Sequence, residues 1–167
     1  RTPAVAISKD LATKGRVDLR GYTVTSMSDL ATIYQVLRNP RVETLRFFYV
    51  KNRKIVGHEG ITSRMPGAAV AFPISRNDLE GMTVNERVDK QEGLAKDMID
   101  RMERLGADGY YMLHNHPSGV SRPSRADIQL TRLFDQVLPG LLGHVVIDSN
   151  EYSTIDASGN VATHQLP

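Results

Sequence analysis

The chain contains no cysteine among its 167 residues. Disulfides and thiolate metal sites are therefore excluded, as is the zinc deaminase class, whose signature requires a PCxxC pair. The absence is compatible with a reducing compartment. No apolar run approaches the roughly 18 residues of a membrane span, and no basic n-region with a following h-region opens the chain. A cytoplasmic location without a membrane partner is the expectation. Internal repeats and low-complexity tracts are missing too. A strong excess of one charge is also lacking: 21 Lys and Arg against 19 Asp and Glu leave a net charge of +2. That balance is too mild to mark a nucleic-acid binder by itself.

A chain of this length with 40% hydrophobic and 24% charged residues can bury one ordinary core. It begins at Arg1 rather than Met, so flanking domains of a longer chain are expected. Residues 1–21 lack periodicity and read as an N-terminal arm or edge segment, with one domain over 22–167. Ser28 reads as the N-cap of a helix with Leu30, Ile33, Tyr34 and Leu37 on one stripe, stopped by Asn39 and Pro40. Thr44 to Val50 is aromatic and β-branched, a strand, and Asn52 with Arg53 turns it into a second strand ending near Glu59. Residues 66–74 are strand-like, but Pro66, Gly67 and Pro73 restrict them to an edge. Leu94, Met98, Met102 and Leu105 have helical spacing, and Gly106 closes that helix ahead of a strand at Tyr110 to Leu113. A helix from Ser124 to Leu138, a strand at 144–148 and a short hairpin around Ser158 and Gly159 complete the chain. This alternation predicts an α/β fold, a mixed central β-sheet flanked by helices.

The chemistry is concentrated in His114, His116, Ser124 and Asp127, which together read HxHx7SxxD. Alternate residues of a strand point to one side, so two histidines one residue apart can converge on one ion while the carboxylate arrives from the next element. Two imidazoles and one carboxylate suit Zn²⁺, and three protein ligands leave a position for water, as in catalytic rather than structural sites. Such a site needs a base, and the sequence should supply a nearby Glu. Ser124 and Asp127 also match the S/T-x-x-D/E signature of a helix capping box, and the two readings are compatible. Upstream, Glu43, Glu59, Glu80, Glu86 and Glu92 are all available. Glu59 differs from the others in lying at the end of an apolar strand. His58 should face the other side of that strand. His144 opens an apolar strand and reads as a buried histidine or a partner of the ligands rather than a fourth ligand, and His164 falls in a polar tail.

These residues resemble the JAMM (MPN-type) metalloproteases, whose pattern is an upstream Glu followed by HxHx7SxxD. The likeness is closest to the RadC-like branch: HNHPSG at 114–119, PSRAD at 123–127 and GHVVID at 143–148 are similar to its distinctive stretches, and NRKIVGHEG at 52–60 is similar to the segment carrying its catalytic Glu. The resemblance runs over about residues 22–156. It implies a JAMM/MPN-like fold with cytidine-deaminase-like layering, Zn²⁺ held by His114, His116 and Asp127, Glu59 as general base and Ser124 as oxyanion donor. The implied activity is amide or isopeptide hydrolysis on a protein or peptide with an extended tail. The chain departs from the branch at 63–81, SRMPGAAVAFPISRNDLEG, where a GT-containing turn and an HPRE-like stretch are usual. Residues 66–81 fall where the family clamps its substrate, so strand addition near Ala68 to Ile74 is one expectation and a divergent surface loop the other.

A rival reading is a DNA-associated module of a repair or mobile-element system. It draws on the basic groups Lys51, Arg53, Lys54 and Arg122, Arg125, Arg132. The helix-hairpin-helix region that often precedes RadC-like domains is not visible. Nucleases of phosphodiesters commonly use paired metals about 4 Å apart, and this chain offers ligands for one. An inactive relative serving as an interaction platform is a third reading, disfavoured because every motif position is filled.

Overall fold

A computed structural model describes residues 18–35, 43–63, 96–116, 121–148 and 150–165. Helix α1 is Met27–Gln35, α2 is described over 96–105, and α3 is Arg125–Val137. Six strands, β1 (Glu43–Lys51), β2 (Lys54–Ser63), β3 (Gly109–Asn115), β4 (Leu141–Ile147), β5 (Glu151–Ile155) and β6 (Val161–Gln165), form one sheet in the order β2-β1-β3-β4-β5-β6. Only the β3–β4 pair is parallel; the other neighbours are antiparallel. The mixed α/β sheet flanked by helices is the architecture expected from the sequence.

Strand alternation distributes the core over two faces. Phe48, Val50, Tyr111, Leu113, Val145 and Ile147 pack with Leu30, Ala31, Ile33 and Tyr34 of α1 on one face. Leu45, Phe47, Tyr49, Tyr110 and Met112 pack with Met98 and Met102 of α2 and Leu130 and Phe134 of α3 on the other. The methionines at helical spacing are core, as read. Every residue of β3 is buried, because the strand has neighbours on both edges and helices on both faces.

The hairpin between β1 and β2 turns at Asn52 and Arg53, whose φ angles of 50° and 66° are both positive, as the tightest hairpin turns require. Gly106 ends α2 at φ 67°, a conformation that costs glycine little. Several boundaries differ from expectation: β4 begins at Leu141 rather than 144, and β3 spans Gly109–Asn115 rather than Tyr110 to Leu113. The N-cap of α1 is Ser26 rather than Ser28: Ser26 Oγ accepts the Asp29 N–H at 3.2 Å, and the Asp29 carboxylate accepts the Thr25 N–H at 2.9 Å. Strand β2 continues past Glu59 to Ser63 because β1 supplies partners as far as Glu43. Residues 1–17 of the expected arm lie outside the described residues; Leu19 is buried against α1, and Gly21 and Val24 donate to Ile55 and Arg53 carbonyls at the start of β2. The strand-like run at 66–74 and the segment 63–81 beyond Ser63 also lie outside them. Among the described residues no helix is long and apolar enough to cross a membrane.

Candidate metal centre

Strand β3 carries Tyr110, Met112 and His114 toward α3, and His114 stands level with Leu45 of β1 and Val146 of β4. His116 follows just beyond the strand end, where its backbone N–H donates to the Ile147 carbonyl at 3.0 Å. That bond keeps the chain aligned with β4 for one residue more, so the two imidazoles emerge on the same side. Their rings lie 4.7 Å apart, edge to face.

The carboxylate comes from the first turn of α3. Ser124 is its N-cap, with Oγ accepting the Asp127 N–H at 3.1 Å, while Asp127 Oδ2 accepts the Ser124 N–H at 2.8 Å. This reciprocal pair is the capping box read from the sequence. It also fixes Asp127 toward the histidines: Oδ1 is 3.0 Å from His114 Nδ1 and Oδ2 is 3.1 Å from His116 Nε2. Asp127 is buried, which by itself raises a carboxyl pKa. Hydrogen bonding to His114 and His116, the His114 charge and the Ser124 N–H outweigh burial and hold it well below the usual carboxylate range. The N-terminus of α3 favours the anion as well.

Donor atoms of His114, His116 and Asp127 all lie within 4.8 Å of one another, so the three side chains could hold a metal ion. The 3.0 and 3.1 Å contacts run to different oxygens of Asp127, so the carboxylate spans the two imidazoles. His114 and Asp127 are almost fully enclosed, whereas His116 retains 14% exposure and opens the cluster on one side. His114 Nε2 is buried with no hydrogen-bond partner.

Glu59 lies on the same face of the sheet, opposite Phe47 of β1 and through it Met112 of β3; the β2 residue level with His114 is Ile61. With strands about 4.8 Å apart and alternate residues about 6.8 Å apart, the Glu59 backbone is roughly 12 Å from that of His114. Its carboxylate is bound by Arg101 of α2 and accepts from the Tyr49 hydroxyl at 3.2 Å. Neither contact was foreseen, although Arg101 lies three residues beyond Met98, at the border of the apolar stripe of α2. His58 faces the other side, stacked on Phe48 with ring centroids 5.9 Å apart. Burial, with the Arg46 charge second, lowers its pKa.

His144 is fully buried, 6.2 Å from the His114 ring and nearly parallel to it, with Nδ1 2.8 Å from Thr131 Oγ1. Burial first and the His114 charge second push its pKa down to about 3. Thr131 was missed by sequence reasoning, although a residue four beyond Asp127 shares its helix face. Arg122, Arg125 and Arg132 are exposed, as are Lys51, Arg53 and Lys54 at the β1–β2 hairpin.

Residues 87–160 match the family model described as RadC-like JAB domain. A UPF0758 protein of Finegoldia magna is 34% identical over 82 residues, covering 47% of this chain and 35% of that protein. A UPF0758 protein of Acidithiobacillus ferrooxidans is 35% identical over 68 residues, covering 38% and 30%. A UPF0758 protein of Legionella pneumophila strain Lens is 27% identical over 131 residues, covering 75% and 48%. The chain thus spans at most about half the length of these curated relatives. The sheet, its helices and the HxHx7SxxD cluster are consistent with a JAB/MPN-like α/β fold. Over residues 87–160, somewhat under half of its length, the chain is thus similar to the RadC-like JAB domain, and the UPF0758 proteins are relatives over part of their own length. The family-model match includes all three candidate ligands and Ser124 and begins after Glu59.

Proposed function

We propose that the chain is a zinc-dependent metallohydrolase of the RadC-like JAMM class that cleaves amide or isopeptide bonds. The observation that carries this reading is the grouping of His114, His116 and Asp127, whose donor atoms all lie within 4.8 Å of one another, with His116 partly exposed. Zn²⁺, when bound there, supplies a Lewis acid that makes water acidic near neutral pH and polarises a carbonyl. Asp127 stays ionised, the form in which a carboxylate ligates a metal. Glu59 takes the proton of the attacking water and returns it to the departing amine. To do so its carboxylate leaves Arg101; the two side chains are 32% and 39% exposed, so water can replace each partner. Ser124 Oγ accepts from the Asp127 N–H, so its own proton remains to be donated to the oxyanion of the tetrahedral intermediate. A donor in that role contributes about 3 kcal/mol to transition-state stabilisation.

The substrate of this reading is a protein or peptide with an extended tail, in a cytoplasmic setting and within a longer chain. DNA association is the second reading, supported by the exposed Arg122, Arg125 and Arg132 on and just before α3. A steep fall of DNA binding with salt would favour it, and a flat or absent signal would remove it.

Metal analysis of the purified chain comes first, followed by turnover of a peptide and isopeptide panel by wild type, Glu59→Gln and His116→Ala. The Gln variant is expected to keep its metal and lose about 10²–10⁴-fold in rate. The Ala variant is expected to lose both. A wild-type chain that takes up no metal overturns the proposal, and a Glu59→Gln variant at full rate removes Glu59 as the base.

A further inference from the structure

Hydrogen bonding around His144 fixes which of its nitrogens carries a proton. Thr131 lies one turn after Asp127 in α3, and its Oγ1 donates to the Asp127 carbonyl at 2.7 Å. A hydroxyl has one proton, so this bond uses it. The 2.8 Å contact between Thr131 Oγ1 and His144 Nδ1 therefore has the imidazole N–H as donor and the hydroxyl as acceptor. Among the described residues no carboxylate meets either nitrogen of His144, and a fully buried imidazolium without one is costly. His144 is accordingly neutral, protonated on Nδ1, with a lone pair on Nε2. That Nε2 is buried and has no hydrogen-bond partner.

A complementary vacancy exists on the neighbouring ring. His114 turns Nδ1 toward Asp127 Oδ1, and its Nε2 is likewise buried without a partner. The two rings are 6.2 Å apart and only 16° from parallel. When His114 offers Nδ1 as a metal ligand, the proton of the neutral ring belongs on Nε2. A donor lacking an acceptor then adjoins an acceptor lacking a donor. Ligating histidines normally give this second N–H to a fixed acceptor, which sets the ring's orientation and basicity.

We infer that His144 is a positioning residue of the metal centre, its Nε2 taking the Nε2–H of His114 through one water, and Thr131 closing the connection back to Asp127. This rests on the reading of His114, His116 and Asp127 as metal ligands. The result is a circuit in which the side chain of one ligand is tied, through His144 and Thr131, to the backbone of another. The two ligands on different elements are thereby held to each other from behind, away from the open side.

The test uses the whole chain. Long-range ¹H–¹⁵N correlation of the metal-free protein, labelled in histidine, is expected to show His144 protonated at Nδ1 and bare at Nε2; protonation at Nε2 overturns the inference. Competition with a chromophoric chelator then gives the Zn²⁺ affinity of wild type, His144→Phe, Thr131→Val and Thr131→Ser. Loss of 10–100-fold is expected for His144→Phe, as for other partners of ligating histidines. Thr131→Val should weaken binding in the same direction, and Thr131→Ser, which keeps the hydroxyl, should restore it. Substitution with Co²⁺ should show an altered visible spectrum in the Phe and Val variants, a change that a purely structural role does not produce. Should His144→Phe fail to fold, the Val and Ser pair decides. Wild-type Zn²⁺ affinity in a folded His144→Phe variant overturns the inference alone, whereas a wild type that binds no Zn²⁺ overturns the proposed function as well.

Discussion

Replacing Tyr110 by Phe removes a single oxygen from the junction between β3 and α3. Tyr110 is fully buried, and its hydroxyl lies 2.8 Å from the Leu138 carbonyl and 3.2 Å from that of Phe134. The Phe134 carbonyl already accepts the Leu138 N–H at 2.8 Å. The loss therefore falls mainly on the Leu138 carbonyl, which belongs to the C-cap of α3 and has the Tyr110 proton as its side-chain donor. Leaving a buried acceptor unpaired costs about 1–3 kcal/mol. The ring itself is retained, together with its packing against Phe47 at 6.3 Å, so no cavity term is added. Each kcal/mol lowers Tm by about 2–4 °C in a chain of this size, which for a cost of about 1.5 kcal/mol gives roughly 3–6 °C. Burial first and the Asp135 charge second raise the Tyr110 pKa, so the hydroxyl remains a donor throughout the accessible pH range. Urea denaturation of the metal-free protein at pH 7 should show a lower midpoint at unchanged slope. An unchanged midpoint would refute the reasoning, because no other group stands ready to satisfy that carbonyl in the contacts described.

Ser124→Ala should lose about 1 kcal/mol of stability with the cap and, under the proposed function, about 10²-fold in turnover with the oxyanion donor. Ser124→Asn separates the two, since Asn caps well but lacks the hydroxyl: stability should return and rate should not, and recovery of both would remove Ser124 from the chemistry. The metal-free chain should also lose stability as pH falls. His144 has a folded pKa of about 3 against an ordinary 6.5, so between those values the unfolded chain binds a proton that the folded one does not. Its contribution is complete above about pH 6.5 and declines by about 1.4 kcal/mol per pH unit below it. Denaturation curves from pH 7.5 to 5 should be less steep in pH for His144→Phe than for wild type; identical slopes would count against the buried neutral imidazole.

Local signals in the sequence served well wherever the deciding contacts were local. The turn at Asn52 and Arg53, the close of α2 at Gly106 and the Ser124–Asp127 box each depend on residues within one turn of one another, and each formed as read. The three candidate ligands were legible for the same reason, since strand alternation and a helix start suffice to aim them. Ser28 was mistaken for a cap because Ser26 offers the same hydroxyl two residues earlier, and the choice was made by the Asp29 carboxylate folding back onto Thr25. Strand order and register are different in kind. The placement of Glu59 level with Met112 rather than His114, across β1, follows from how β2, β1 and β3 align over more than fifty residues of chain, and no short pattern encodes it. The grip of Arg101 on Glu59 and the contact of Thr131 with His144 also join different elements, 42 and 13 residues apart, and so were out of reach.

Asp127 Oδ2 touches both the Ser124 amide and the His116 ring. A cation held by this cluster would thereby be thermodynamically linked to the winding of one helical turn: whatever draws on that oxygen from one side alters what it can give on the other. Amide exchange at Ser124 and Asp127 should then track loading of the centre, giving the protein an intrinsic gauge that can be read without any substrate.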